Sequence, residues 1–160
     1  MVDNVYAVTR SRMMSAIRGQ DTLPERIVRR YLHGAGLRFR LGGAGLPGRP
    51  DIVLPRHRVS LFVHGCFWHR HEGCRFTTTP ATNADFWNVK LTRNVGRDAA
   101  NEDRLRALGW QPMVIWECQT SDAEALDSLV WQILACGSDN KRWTGCSMAP
   151  RMSRQTAAFF

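Results

Sequence analysis

Nowhere in its 160 residues does the chain carry an apolar run long enough to cross a bilayer, which takes about 20 consecutive residues. The opening MVDNVYAVTRSRMM lacks the apolar centre of a secretory signal, so the expectation is a cytoplasmic protein with no membrane partner. There is no internal repeat, which excludes a solenoid or propeller. The cysteines, Cys66, Cys74, Cys118, Cys136 and Cys146, are too unevenly spaced to read as a disulfide framework, and cytosolic thiols stay reduced. Acidic residues are also short: 14 Asp+Glu face 22 Lys+Arg, leaving a net charge of +8. That excess modestly favours a polyanionic partner over the alternative of a basic solvated surface.

What is present fits one domain with a core, at 44% hydrophobic residues. The pattern assigns residues 1–13 to a flexible basic arm, 14–136 to the domain and 137–160 to a flexible basic tail. A short helix fits Met13–Ile17. In DTLPERIVRRYLHGAG, Asp21 or Thr22 can cap a helix whose apolar face is Ile27, Val28, Tyr31, Leu32 and Ala35, closed by Gly34 and Gly36. GGAGLPGRP is a turn-rich loop. DIVLP and VSLFV, separated by RHR, read as two paired strands. A long helix over 83–108, with or without a break, would bury Phe86, Trp87, Leu91, Val95, Leu105 and Leu108. A third strand fits Met113–Cys118. A last helix over 122–135 turns Leu126, Leu129, Val130 and Ile133 inward.

The stretch VHGCFWHRHEGC (63–74) concentrates chemistry: three of the five histidines, two of the five cysteines and a Phe-Trp pair. Cys66, His71 and Cys74 sit close enough for a loop to wrap them around one zinc ion, and Cys118 is the natural fourth ligand at the end of another strand. The bland alternative is buried thiols and a packed histidine. If His71 ligates, His64 and His69 remain free to exchange protons near neutral pH. Surface histidines, or one of these two as ligand in place of His71, satisfy the spacing as well. Asp51 heads a strand and Glu25 lies on the preceding helix, a carboxylate pair able to hold Mg²⁺; Asp51 also suits a plain turn after Pro50.

Five separated stretches, MSAIRGQDTLPE, LPGRPDIVL, FVHGCFWHRHEGC, NADFWNVKLTRNVGRD and LGWQPMVIWEC, resemble the very short patch repair (Vsr) DNA mismatch endonuclease family from Met14 to Cys118. The resemblance implies an α/β, type II restriction endonuclease-like fold with a central mixed sheet flanked by helices. It implies an enzyme that nicks one strand of double-stranded DNA 5′ of the thymine in a T:G mismatch left by 5-methylcytosine deamination. Within that likeness Asp51 holds Mg²⁺ with the main-chain carbonyl of Val63, His69 activates water, and His64 and Glu25 assist. Cys66, His71, Cys74 and Cys118 match structural Zn²⁺ ligands. Two departures stand out: Val63 replaces a threonine of the best-known members, and HEGC holds one more residue than the shortest family spacing.

A mispaired step unstacks cheaply, so inserted aromatic rings favour it. Phe67 and Trp68 suit that wedge, with Trp87 a further candidate that equally suits a core face. Met14, by its family counterpart, enters from the other groove. Arg10, Arg12, Arg18, Lys90, Arg93 and Arg97 offer charge for phosphates, or simply a solvated face. The reading is therefore a monomeric Zn²⁺-stabilised, Mg²⁺-dependent DNA repair nickase, with mismatch-repair proteins as further partners. A nicking or restriction enzyme with another DNA target, or a non-catalytic zinc-bound DNA-binding module, are the alternatives.

Overall fold

Thr22 opens the first helix, as its residue type invites. The computed structural model describes residues 19–43, 45–81 and 83–138; the arm, Met14, the Met13–Ile17 helix and the tail from 139 lie outside them. Helix α1 spans Leu23–Gly34. The Thr22 hydroxyl accepts from the Glu25 N–H while the Glu25 carboxylate accepts from the Thr22 N–H, a reciprocal capping box. Val28 and Leu32 are its fully buried residues, with Ile27 and Tyr31 packed beside them, whereas Ala35 is exposed.

Four strands follow: β1 Arg40–Leu41, β2 Ile52–Leu54, β3 Val59–His64 and β4 Gln111–Trp116. They form one sheet in the order β1-β2-β3-β4. The first three run antiparallel; β4 pairs parallel to β3. The expected β2–β3 hairpin is present. Its turn is a short 3₁₀ segment, Pro55–His57, closed by Arg58 in the left-handed region. A parallel partner requires a long crossover, supplied here by helix α2, Ala84–Ala107, which is unbroken. Helix α3 spans Ala123–Ser138. The two-residue β1 was too short to leave a pattern in the sequence.

β3 is nearly continuously apolar because both of its faces are covered. Val59 and Leu61 join Ile52, Leu54 and Ile115 in a cluster with Val28 and Leu32 of α1 and Leu126, Leu129 and Ile133 of α3. On the opposite face, Phe62 and His64 share a small cavity with Asp98, Asn101 and Glu102 of α2. Helices therefore cover both faces of a mixed sheet. One expectation needs correction: on α2 only Leu91 and Leu105 are buried, while Phe86, Val95 and Leu108 are exposed and Trp87 is half-buried. Much of this helix stands clear of the core.

The loop before β2 is fastened to the strand it feeds. The Gly42 and Gly43 amides donate to the carbonyls of Asp51 and Pro50. A Cβ on Gly43 would lie 2.6 Å from the Pro50 ring, so only glycine permits this approach. The contact sets the position of Asp51 at the head of β2.

Candidate active site and metal centre

In the β3–β4 ladder, His64 is paired with Trp116. Cys66 and Cys118 each lie two residues beyond that pair, so the parallel register alone brings the two thiols to the same end of the sheet. The loop after β3 adds the other two groups. Its turns are held by the His71 amide donating to the Cys66 carbonyl and by the Thr77 hydroxyl donating to the carbonyls of Cys66 and His71. Nδ1 of His71 lies 3.7 Å from Cys66 Sγ and 3.4 Å from Cys118 Sγ. One ligand atom from each of Cys66, His71, Cys74 and Cys118 falls within 4.8 Å of the other three. Three thiols and an imidazole at such separations match the edges of a tetrahedron around a zinc-sized ion.

The electrostatics of this cluster agree. Burial, reinforced by the neighbouring thiols, pushes Cys118 up to about 12, and burial also raises Cys66. Cys74, which accepts the Phe76 N–H, is lowered. Without a cation the three thiols cannot share one small volume as thiolates; with one, they and the imidazole form a donor set suited to zinc. The Trp116 ring stacks on His71, 4.2 Å between centroids and 5° from parallel, fixing the imidazole.

Arg70 separates the histidines. Its φ of 52° lies in the left-handed region, where a non-glycine residue is strained. This reversal sends His71 to the thiols and His69 toward α2. Nδ1 of His69 lies 2.5 Å from Oδ2 of Asp98. In the neutral form of the ring, a carboxylate at that distance favours the tautomer with its proton on Nδ1 and the lone pair on Nε2. His69 also stacks on His64, 3.8 Å between centroids and 8° from parallel. His64 is buried, and burial, with the His69 charge second, pulls it down to about 4. It is therefore a neutral ring near neutral pH. Within HEGC, Gly73 turns the chain at φ 71°.

The Val63 N–H donates to Oδ2 of Asp51 at 2.8 Å, joining the head of β2 to the strand that leads into the loop. Burial pushes the Asp51 acid up; the Val63 N–H opposes this, Glu25 adds to it and Arg29 offsets it. Glu25 thus acts on the Asp51 carboxyl through space, and carboxylate oxygens are hard donors of the kind magnesium takes. Glu25 is itself almost fully buried. Both its oxygens are engaged, one by the Thr22 amide and hydroxyl, the other by the Asp21 amide and by Arg29 Nη2 at 2.5 Å.

The aromatic candidates meet. Phe67 lies 5.0 Å from Trp68 and 5.6 Å from Trp87, all edge-on, and Trp68 lies 6.1 Å from Trp87. Lys90 Nζ lies 5.2 Å from the Trp87 ring, 5.5 Å from Trp68 and 5.8 Å from Phe86, within cation–π range. The rings are half-buried, not part of the core, and Phe86 beside them is exposed. The Asn94 side chain donates to the Trp68 carbonyl at 3.2 Å, and Arg70 donates to Asn88 at 2.6 Å. Met14 lies outside the described residues.

Asp98 and Asn94 had no role in the sequence reading. Their signal was present: Trp87, Lys90, Asn94 and Asp98 recur at helical spacing, forming one stripe on α2. The stripe was hidden by a helix rich in charges of both signs.

Comparison with known proteins agrees with the geometry. Residues 2–75 match the family model for the DNA mismatch endonuclease Vsr. The chain is 45% identical over 134 residues to the type II nicking enzyme V.XorIIP of Xanthomonas oryzae pv. oryzae, covering 84% of this chain and 98% of that protein. It is 44% identical over 126 residues to the DNA mismatch endonuclease Vsr of Escherichia coli, covering 79% and 80% respectively. The type II nicking enzyme V.NmeAIP of Neisseria meningitidis is 38% identical, covering 83% and 97%. Among the described residues no helix is long and apolar enough to cross a membrane. With likeness of this degree over 80% of the Escherichia coli Vsr protein and 98% of V.XorIIP, the chain belongs to the Vsr DNA mismatch endonuclease family and is a DNA endonuclease.

Proposed function

We propose that this protein nicks one strand of duplex DNA on the 5′ side of the thymine in a T:G mismatch, in a restriction endonuclease-like fold, working as a monomer and starting a short repair tract. The observation that carries this reading is the His69–Asp98 pair at 2.5 Å, stacked on His64, which on β3 follows Val63, the residue whose N–H reaches Asp51.

His69 Nε2 takes a proton from water, whose oxygen attacks the phosphorus; the bond to the 3′ oxygen breaks, and that oxygen takes a proton from solvent, leaving a 3′-hydroxyl and a 5′-phosphate. Asp98 orients His69 and counterbalances the positive charge that forms on its ring. His64, neutral and buried, sets the plane of His69 by stacking. Asp51 and the Val63 carbonyl would hold magnesium, with Glu25 adding charge from the helix cap. Magnesium, when bound, supplies positive charge against the phosphate as it is attacked. Cys66, His71, Cys74 and Cys118 would hold zinc, tying the loop to the end of β4. Phe67, Trp68 and Trp87 wedge beside the mismatch, with Met14 entering from the other groove.

The test is a nicking assay in Mg²⁺ on T:G, matched and methylated duplexes with varied flanking sequence. Nicking confined to the T:G strand supports the proposal. Cleavage of matched duplexes would point to a nickase with another target. Asp51→Ala should abolish nicking while duplex binding persists; unchanged function would favour a non-catalytic module.

A further inference from the structure

The first-turn cap of α1 is complete without Arg29. Glu25 already accepts from the Thr22 amide and hydroxyl and from the Asp21 amide. Arg29 nevertheless folds back over one turn, Nη2 on Glu25 and Nη1 on Asp21 at 2.7 Å. Its side chain is only 18% exposed. Among the described residues its Nε is buried without a partner, a costly arrangement for a guanidinium. Hydrogen bonding alone does not account for holding it there. Charge does: Arg29 faces Asp21 and Glu25 directly and acts on Asp51 through space. One guanidinium against three carboxylates leaves two negative charges, the charge of one divalent cation.

We propose that Arg29 is a positioning residue, the resident counter-ion of the Glu25–Asp51 pair, which fixes the Glu25 carboxylate and acts on the same negative charge as the divalent cation. This rests on the reading above that Asp51 takes that cation. Two positive charges acting on one acidic cluster weaken each other's binding, so removing the guanidinium strengthens the response to the metal.

The experiment compares thermal unfolding of the full-length protein with and without Mg²⁺, zinc being kept constant, for the parent, Arg29→Met, Arg29→Lys and Asp51→Asn. Arg29→Met should melt lower in Mg²⁺-free buffer and show a larger Mg²⁺-induced rise, with half-saturation at an Mg²⁺ concentration lower by about threefold. Arg29→Lys, which keeps the charge, should respond as the parent does. Were Arg29→Met unfolded without the metal, refolding on addition of Mg²⁺ would support the proposal and no recovery would overturn it. An equal loss of stability with and without Mg²⁺ would also overturn it, reducing Arg29 to a helix clasp. If Asp51→Asn keeps the parent's Mg²⁺ response, the cation reading itself is wrong. If Asp51→Asn loses that response and Arg29→Met matches the parent, only the counter-ion is wrong.

Discussion

His69 and Asp98 meet at 2.5 Å although they come from a loop and from the helix that follows it. In the proposed reaction the carboxylate selects one tautomer of the ring and leaves Nε2 to accept the proton. His69→Ala should therefore lower the nicking rate by about 10²–10⁴-fold. Asp98→Asn should produce a loss of the same order, because an amide no longer selects the tautomer or balances the imidazolium. Single-turnover nicking, read beside duplex binding, checks this; binding should hold in both variants.

The thiol cluster should prove to be the structural support of the nuclease loop. Elemental analysis should find zinc equimolar with the chain. Chelation should lower the melting temperature and stop nicking, and zinc, not magnesium, should restore both, since a structural zinc site contributes folding energy directly. Cys118→Ser, which cuts the link to β4, should reproduce the loss.

Trp68→Ala and Phe67→Ala should each weaken binding to a T:G duplex by about 1–3 kcal/mol. Affinity for a matched duplex should fall less, because intact stacking resists the wedge. Competition binding between the two duplexes measures the difference. An equal fall on both would remove the wedge from the account.

Thr22→Ala removes the hydroxyl that accepts from the Glu25 amide and donates to its carboxylate. It should cost about 1 kcal/mol in chemical denaturation. Nicking should decline only modestly, since Arg29 and the Asp21 amide still hold Glu25.

Much of this arrangement was legible in the residues. The cap at Thr22, the β2–β3 hairpin and α3 follow from local patterns that tertiary packing did not override. Cys66, His71, Cys74 and Cys118 were identifiable because ligand chemistry restricts the choice to few residue types. The choice of His71 over His64 or His69, left open by the residues and indicated only by the family likeness, depends on the left-handed turn at Arg70, and arginine gives no warning of one. Asp98 was hidden for a different reason. A single aspartate on a charged helix looks like solvated surface until the crossover lays α2 over β3. The same crossover misled the reading of Phe86, Val95 and Leu108, whose periodicity suggested a core although the sheet reaches only Leu91 and Leu105. β1 escaped notice because two residues carry no period.

Trp116 touches two imidazoles, lying flat against His71 and edge-on to His64 at 5.5 Å. A single indole is thus a common wall between the thiol cluster and the histidine stack. A shift of His71 on metal loss would reach His64 through one rigid plane, and its neighbour His69 next. The fluorescence of that ring offers an optical handle on both centres, and a smaller side chain there would disconnect them without altering any ligand.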